Sequence, residues 1–230
     1  MSSQALIFQA SDYLDLNQTE HPLLFNETTY LWEVLPKIKE YLQRHLQPAN
    51  LGTLVGRPFI GEKVFIGKGT TIEEGAMIKG PAWIGEGCEL RKGCYIRENV
   101  IIGNGVVIGN SSEIKNALIF NEAQIPHFNY VGDSILGFRA HLGAGAILSN
   151  VRLDRAEVIV TTDSEKVKTG LKKFGAILGD RVEIGCNAVL SPGSIIGRDS
   201  IIYPNTSWRG ILPEKSVGKT IEQLYVLRRR

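Results

Sequence analysis

The chain has 230 residues, 43% of them hydrophobic and 22% charged, which is enough for one domain with a core of ordinary size. Its net charge of +2 creates no bulk field that favours nucleic acid, and no apolar run is long enough to span a membrane or to resemble a secretion signal. Three cysteines cannot all form disulfide bonds within the chain. We expect a cytoplasmic protein.

The first 50 residues form an N-terminal extension without the repeat that follows. Apolar side chains recur there at helical spacing, which predicts a helix near 30–46. Pro36 either kinks this helix or begins its first turn.

Residues 51–213 repeat a unit of six, each with one bulky apolar residue, often a glycine after it, and a small residue at the fifth position. Neither a helix nor an ordinary strand has this period, whereas a short strand followed by a corner does. Three such units close a triangular coil of about eighteen residues, so the sequence predicts an all-β fold, a parallel β-helix of stacked coils. The bulky series is Ile60, Ile66, Ile72, Ile78, Ile84, Leu90, Ile96, Ile102, Ile108, Ile114 and Phe120, then Leu136, Leu142 and Leu148, then Leu178, Ile184, Leu190, Ile196, Ile202 and Trp208.

The repeat is interrupted twice and followed by a different segment. Residues 121–135 lose the register, and 151–176 predict a loop or hairpin that projects from the β-helix and carries function. Residues 214–230 predict a short C-terminal helix that caps the last coil.

Three basic residues follow the bulky position at eighteen-residue intervals, namely Lys79, Arg97 and Lys115. In stacked coils they lie one above another, about 4.8 Å apart at the backbone. They either extend into solvent and pair with neighbours such as Glu98 and Glu113, or they form a cradle for an anion such as phosphate. The column alone leaves both interpretations open.

His127 lies where the repeat loses its register. Histidine titrates near neutral pH, so this residue is either a polar loop residue or a general base. It follows Lys115 by less than one coil, so we expect it near the basic column, which favours the catalytic interpretation.

Metal and redox roles are less well supported. His127 and His141 lack a third ligand at a convincing spacing, and we predict no metal. Cys88 and Cys94 occupy small inward positions that indicate packing, whereas Cys186 follows a corner glycine and could line a surface groove.

Several segments together resemble one family. They are residues 113–117, 127–133, 142–145, 150–154 and 169–180. They resemble the acetyltransferase domain of the bifunctional bacterial uridylyltransferase/glucosamine-1-phosphate acetyltransferase, and the archaeal sugar-phosphate nucleotidyltransferases that carry the same domain. The resemblance covers about residues 30–213. It implies a left-handed parallel β-helix, although the usual rule for parallel crossovers predicts a right-handed one.

The resemblance also implies residue roles, with His127 as the base that takes a proton from a sugar amine. The other implied roles are phosphate binding by Arg97 and Lys115, and by Lys173 from a neighbouring subunit; sugar contacts by Tyr130 and His141; a polar group beside the reacting carbonyl at Asn150; and cofactor contacts at Ala144 and Cys186. We add Lys79 to the phosphate-binding group and Glu113 as a residue that orients His127. His141 stands where the bacterial enzymes have an asparagine.

The implied function is an acetyl-CoA-dependent N-acetyltransferase that acts on an amino-sugar phosphate, with glucosamine-1-phosphate as first candidate, in UDP-N-acetylglucosamine synthesis. A homotrimer with sites between subunits is expected. The first 50 residues are too few for the nucleotidyltransferase half, so a separate nucleotidyltransferase could be a partner. The alternatives are an acyltransferase for a nucleotide-linked amino sugar or another acceptor, and a non-catalytic trimerisation or regulatory module.

Overall fold

The computed structural model describes residues 8–162 and 165–221, and in it the chain is an all-parallel β-solenoid. Two of its sheets have nine strands and one has eight, and each strand pairs with the strand one coil before it and one coil after it. We call the outer surfaces of these sheets face A, face B and face C. This architecture confirms the predicted fold class, the left-handed parallel β-helix with a helical N-terminal extension.

The chain visits the three faces in turn. The face A strands are Ala49–Asn50, Val64–Ile66, Ala82–Ile84, Val100–Ile102, Ala117–Ile119, Ile135–Leu136, Ala176–Leu178, Ser194–Ile196 and Ile211–Leu212. The face B strands are Thr53–Leu54, Thr71–Ile72, Glu89–Leu90, Val107–Asn110, Gln124–His127, His141–Leu142, Glu183–Ile184, Ile201–Ile202 and Val217–Gly218. The face C strands are Phe59–Ile60, Met77–Ile78, Tyr95–Ile96, Glu113–Lys115, Tyr130–Gly132, Ile147–Leu148, Val189–Leu190 and Ser207–Trp208.

The bulky residues of the repeat fill the inside of this triangular prism. Ile66, Ile84 and Ile102 are fully buried in one core cluster with the small residues Cys88 and Cys94. Burying one such aliphatic side chain stabilises the fold by about 1.5–3 kcal/mol, so the stacked column dominates the stability of the solenoid. Burial also raises the pKa of Cys94 to about 12, so this thiol is an inert packing group.

The repeat differs from the prediction at Phe120. The inward residue of that strand is Ile119, which pairs with Ile102 and Leu136, while Phe120 points outward into a second core cluster. The corner before this strand is one residue shorter than those of the earlier coils, so the coil takes 17 residues and the register shifts by one. The corner before Ile135–Leu136 is shortened in the same way. Ile125 and Val131 therefore continue the column through the region that the sequence predicted to be irregular.

The N-terminal extension packs on face A. Its helices are Ala10–Tyr13, Leu16–Gln18, Pro22–Phe25, Leu31–Glu33 and Val34–His45, of which the first and last are α-helices and the others 3-10 helices. Pro36 lies in the first turn of Val34–His45, where a proline needs no hydrogen-bond acceptor. Leu31, Trp32 and Ile38 are buried against the outward residues of face A, which explains why the extension folds onto this side.

The segment 151–176 contains an antiparallel hairpin, Ile159–Thr161 with Lys166–Lys168. It does not project freely, because Val158 and Val160 are buried in the same cluster as the N-terminal extension.

The C-terminal end also differs from the prediction. Val217–Gly218 is the last strand of face B, so the solenoid continues past 213 and the residues just after 213 are a turn, not a helix. The rest of the predicted C-terminal helix, 222–230, lies outside the described residues.

Candidate functional site

His127 ends the strand Gln124–His127, at the corner between face B and face C. Its side chain is exposed, and within the described part of the chain its imidazole makes no hydrogen bond or ion pair. Its backbone is fixed: the N–H donates to Asn129 Oδ1 at 3.1 Å, and the carbonyl accepts from the Gly145 N–H at 3.0 Å. The result is a free imidazole on a rigid corner.

Asn129 makes this corner rigid, and it was not among the predicted site residues. Its side chain is buried inside the prism, where Nδ2 donates to the carbonyls of Gly143 at 2.8 Å and Ala146 at 3.2 Å. In the preceding coil, Gly109 packs against the backbone of this corner. A Cβ at Gly109 would lie 1.6 Å from the Pro126 carbonyl oxygen, so this position requires glycine. The sequence does contain a signal for this role, since Asn129 is a polar residue at a position that points into the prism.

Ala144 and Cys186 follow His127 along the same corner in the next two coils. The Asn187 N–H donates to the Ala144 carbonyl at 2.9 Å, and the Asn205 N–H donates to the Cys186 carbonyl at 2.9 Å. Ala144 is half-buried and Cys186 is exposed. We call the corner defined by His127, Ala144 and Cys186 the histidine edge of face C.

The three basic residues stack on the opposite corner, between face C and face A, as their spacing predicts. The Lys79 N–H donates to the Ile96 carbonyl at 2.9 Å, and the Arg97 N–H donates to the Ile114 carbonyl at 2.8 Å. We call the corner defined by Lys79, Arg97 and Lys115 the cation edge.

Arg97 and Lys79 each interact with a side chain on face C. Arg97 donates to Glu113 Oε1 at 2.9 Å and lies 3.7 Å from a Glu98 oxygen, and the bond to Glu113 raises the pKa of the guanidinium. The Lys79 ammonium lies 5.4 Å from the ring centroid of Tyr95, and its interaction with the Tyr95 hydroxyl raises the pKa of the lysine. Glu113 is therefore bound to Arg97, the opposite charge on the adjacent strand, and no hydrogen bond joins it to His127 in the part of the chain that the structure describes. Its role in orienting His127 stays a prediction.

Lys115 is bound to Asp133, a carboxylate that is only 5% exposed. The ammonium lies 3.3 Å from Oδ1 and 3.1 Å from Oδ2 of Asp133. Asn116 donates to Oδ1 at 2.9 Å, and Asn150 donates to Oδ2 at 2.5 Å. Asp133 was not among the predicted site residues, although it lies about one coil from both Lys115 and Asn150.

Tyr130 and Asn150 meet in front of Gly132. A Cβ at Gly132 would lie 2.5 Å from the Tyr130 hydroxyl and 2.7 Å from Asn150 Nδ2, so a larger residue here would displace the ends of both side chains. Burial raises the pKa of Tyr130, and the negative charges of Asp133 and Glu113 raise it further. The tyrosine is thus a neutral hydrogen-bonding group between the two edges.

Two predicted residues lie apart from this group or at its margin. His141 is on face B, where Nδ1 lies 2.7 Å from Glu183 Oε2, and the structure does not bring it to the cation edge. Lys173 is exposed and directly precedes Phe174, whose N–H donates to the Asn150 carbonyl at 2.9 Å, so it lies at the corner that continues the cation edge.

The two edges border the same face of the prism. Five residues separate His127 from Gly132, the strand partner of Lys115, and this stretch of chain spans at most about 18 Å. The structure therefore places long basic side chains along one edge of face C and the imidazole of His127 along the other.

Two other kinds of site are not found in the part of the chain that the structure describes. There, no group of three or more His, Cys, Asp or Glu side chains could hold a metal ion. None of the described helices has the length and apolar character needed to cross a membrane.

Known proteins share this sequence pattern over part of their length. A protein of Methanococcus maripaludis named bifunctional protein GlmU is 36% identical over 118 residues, which are 51% of this chain and 28% of that protein. The bifunctional sugar-1-phosphate nucleotidylyltransferase/acetyltransferase of Sulfurisphaera tokodaii is 38% identical over 92 residues, which are 40% of this chain and 23% of that protein. The chain thus spans about a quarter of the length of these curated relatives, and they confirm the predicted resemblance.

A solved structure and a family model complete the comparison. PerB from Caulobacter crescentus, in complex with CoA and GDP-perosamine, is 22% identical with a TM-score of 0.37, and the match covers 66% of this chain and 54% of that chain. The model of the family described as the GMPPB C-terminal domain matches residues 78–226, which is more than half of the chain. The chain therefore belongs to the GMPPB C-terminal domain family.

Proposed function

We propose that this chain is an acyltransferase that moves an acyl group from acyl-CoA to the amine of an amino-sugar phosphate. The leading substrates are acetyl-CoA and glucosamine-1-phosphate, in the synthesis of UDP-N-acetylglucosamine. One observation carries the proposal: the free imidazole of His127 and the cations Arg97 and Lys115 lie on opposite edges of the same face. The acetyltransferase activity in the name of the Sulfurisphaera tokodaii relative supports the same class.

His127 acts as the general base in this proposal. A protonated amine has no lone pair for attack, so the imidazole takes one proton from it and the neutral nitrogen attacks the thioester carbonyl. The attached nitrogen loses its second proton to water, the carbon–sulfur bond breaks, and the imidazolium returns its proton to the departing thiolate. The rigid corner supports this role because a base must keep a fixed distance from the proton it removes.

The cation edge binds the phosphate of the acceptor. Arg97 offers a planar fork that suits two phosphate oxygens, and Lys115 offers a point charge one coil away. Tyr130 contacts the sugar between the two edges.

Asn150 lies beside the reacting carbonyl. Its Nδ2 group is directed to Asp133 and Tyr130, which leaves the amide oxygen to accept a bond from the attacking amine. Ala144 and Cys186 continue the histidine edge beyond His127, and this line of backbone and small side chains suits the pantetheine arm of acyl-CoA.

The proposal includes a cytoplasmic homotrimer with shared sites. His141 faces away from the cation edge of its own chain, so it would contact the sugar bound by a neighbouring chain, and Lys173 would likewise reach a neighbour's phosphate. The free cysteines support a reducing compartment. A separate nucleotidyltransferase would then use the acylated product.

A nucleotide-linked amino sugar is the second candidate acceptor. Lys79 lies on the cation edge with no carboxylate within 4.0 Å among the described residues, and Lys173 is similarly exposed. Lys79 of the same chain, or Lys173 of a neighbouring chain, would bind the second phosphate of a nucleotide-linked sugar.

A substrate panel tests the proposal, with release of the CoA thiol as readout. With acetyl-CoA as donor, we expect release with glucosamine-1-phosphate and much less with glucosamine. Faster release with a nucleotide-linked amino sugar would favour the second candidate. No release with any acceptor, together with no thermal shift on addition of acetyl-CoA, would instead identify a non-catalytic module.

A further inference from the structure

Asp133 contacts two residues of the proposed site at the cation edge. Its carboxylate is buried, and its two oxygens accept from three side chains, those of Lys115, Asn116 and Asn150. Two of these three are residues to which the proposed reaction gives separate tasks, phosphate binding and orientation of the amine. A single buried group therefore determines where both of them lie.

Only a carboxylate fits this position. Oδ1 accepts from Asn116 and Oδ2 accepts from Asn150, while the Lys115 ammonium lies within 3.3 Å of both oxygens. An amide would replace one oxygen by a donor, which would then face the donors of its neighbours.

The backbone of Asp133 is held as firmly as its side chain. The N–H donates to the Lys115 carbonyl at 2.9 Å, and the carbonyl accepts from the Gly175 N–H at 2.8 Å. Its φ of 48° is in the left-handed region, where a shift of the chain would cost several contacts at once. The carboxylate is thus a fixed point.

We propose that Asp133 is a positioning residue, which aligns the phosphate-binding ammonium of Lys115 with the amide of Asn150. This inference rests on the proposed acyltransferase function. With its N–H directed to Asp133, Asn150 presents its oxygen to the amine; without that acceptor the amide is free to turn over. Asp133 contacts neither substrate, so its effect passes through these two side chains.

The negative charge of Asp133 determines the direction in which phosphate affinity changes when the carboxylate is removed. The carboxylate offsets the positive charge of Lys115, so its removal leaves the cation edge more attractive to phosphate. Asp133→Asn should therefore lower kcat while the affinity for phosphate stays the same or increases. A variant that is merely destabilised would lose both.

The experiment compares wild type with Asp133→Asn and with Asp180→Asn as matched control. Asp180 is a carboxylate that is 1% exposed and accepts the N–H groups of Asp15 and Phe138 on the far side of the prism, so its loss should lower Tm and leave kcat and KM unchanged. We expect kcat of Asp133→Asn to fall at least tenfold, with the KM for glucosamine-1-phosphate and the calorimetric Kd for inorganic phosphate no higher than in wild type. An unchanged kcat, or weaker phosphate binding, would overturn the inference.

A second variant covers the case in which Asp133→Asn does not fold. Removing both members of a buried ion pair is tolerated better than removing one, so Lys115→Met with Asp133→Asn is compared with Lys115→Met alone. We expect the double variant to have a further drop of kcat of at least tenfold, because Asn150 has lost its acceptor; equal kcat values would contradict the inference. If wild type itself releases no CoA, the proposed function fails. The role of Asp133 fails separately if Asp133→Asn binds phosphate more weakly than wild type, or if wild type binds no phosphate.

Discussion

Faces A and C of the prism are built alike, yet one is covered and the other is open. Each has an outward column of mostly apolar residues midway between its corners. On face A the column is Phe65, Trp83, Ile101, Leu118, Ile135, Ile177, Ile195 and Ile211. On face C it is Phe59, Met77, Tyr95, Glu113, Tyr130, Ile147, Val189 and Ser207. The N-terminal extension buries most of the first column, whereas Phe59, Met77 and Val189 of the second remain exposed.

The difference shows how a repeat with three nearly equivalent faces becomes asymmetric. The extension uses the apolar side chains of face A for stability, and the polar groups that could do chemistry lie along the two edges of face C. Changes to the exposed side chains of face C should therefore alter catalysis with little effect on folding, and changes under the extension should do the reverse. The predictions below test this separation.

The largest effect is expected for His127→Ala. Loss of a general base typically lowers kcat by about 10²–10⁴-fold, and here the side chain is exposed, so we expect an unchanged Tm. The deficit in kcat should shrink as pH rises, because more of the amine is then already neutral. Initial rates of CoA release across pH measure both effects.

The control for this variant is His45→Ala, at the end of the helix Val34–His45 on the other side of the molecule. It should keep wild-type rates. Full activity of His127→Ala would remove the base from the mechanism, and a large loss of Tm would show that the histidine edge is structural.

A pH-dependent loss of stability is expected under the extension at His21. Its ring is buried between Tyr41 and Trp83, and burial, followed by the nearby charge of His45, lowers the pKa of His21 to about 4. Between this value and the ordinary pKa of about 6.5 the unfolded chain binds the extra proton, so acidification favours unfolding. The contribution is fully present above pH about 6.5 and is lost as pH falls through about 4, a change of about 3 kcal/mol.

Chemical denaturation at several pH values checks this against His21→Gln. The variant should have a flatter dependence of unfolding free energy on pH over this window, since it lacks the titrating ring. Identical slopes would contradict the prediction. If the two faces are separate, wild type and variant should also release CoA at the same rate at neutral pH.

The six-residue period predicted the fold because it reports the side-chain position directly, turn after turn. It failed at Phe120 because Ile119 and Phe120 are both bulky and apolar, so the missing corner residue leaves no trace in the pattern. It also missed the last strand, Val217–Gly218, where a glycine occupies the inward position.

The candidate site was predictable to a similar extent. The eighteen-residue spacing of Lys79, Arg97 and Lys115 gave the cation edge, since it equals one coil. Asp133 was missed although it lies eighteen residues after Lys115, because residues 121–135 were taken to have lost the register of the repeat. The roles of the individual site residues stay predictions.

A smaller effect is expected for Lys115→Met. A charge-assisted hydrogen bond to phosphate is worth about 1.5–3 kcal/mol, so the KM for glucosamine-1-phosphate should rise by roughly 10–100-fold, with less change for unphosphorylated glucosamine. The variant should also be less stable, because Asp133 loses its counter-charge in a buried position. Steady-state kinetics and thermal denaturation measure the two effects.

Arg97→Met provides the comparison on the same edge. Its partner Glu113 is as exposed as Arg97 itself, about a third each, so breaking this pair should cost less than about 1 kcal/mol of stability while KM still rises. Equal losses of Tm in the two variants would mean that burial of Lys115 does not matter for folding. Unchanged KM values in both variants would mean that the cation edge does not bind the phosphate of the substrate.

The smallest effect is expected for Glu113→Gln, and its sign is informative. Glu113 holds the Arg97 guanidinium at 2.9 Å and competes with any phosphate for it. Removing the charge should free the arginine, so we expect KM for glucosamine-1-phosphate to fall by about two- to fivefold, since an exposed ion pair is worth less than about 1 kcal/mol. The kcat value should stay within twofold of wild type, because the carboxylate does not touch His127. A large drop in kcat with unchanged KM would instead mean that Glu113 turns to the histidine when substrate binds, and the open face would then rearrange in a way that the covered face cannot.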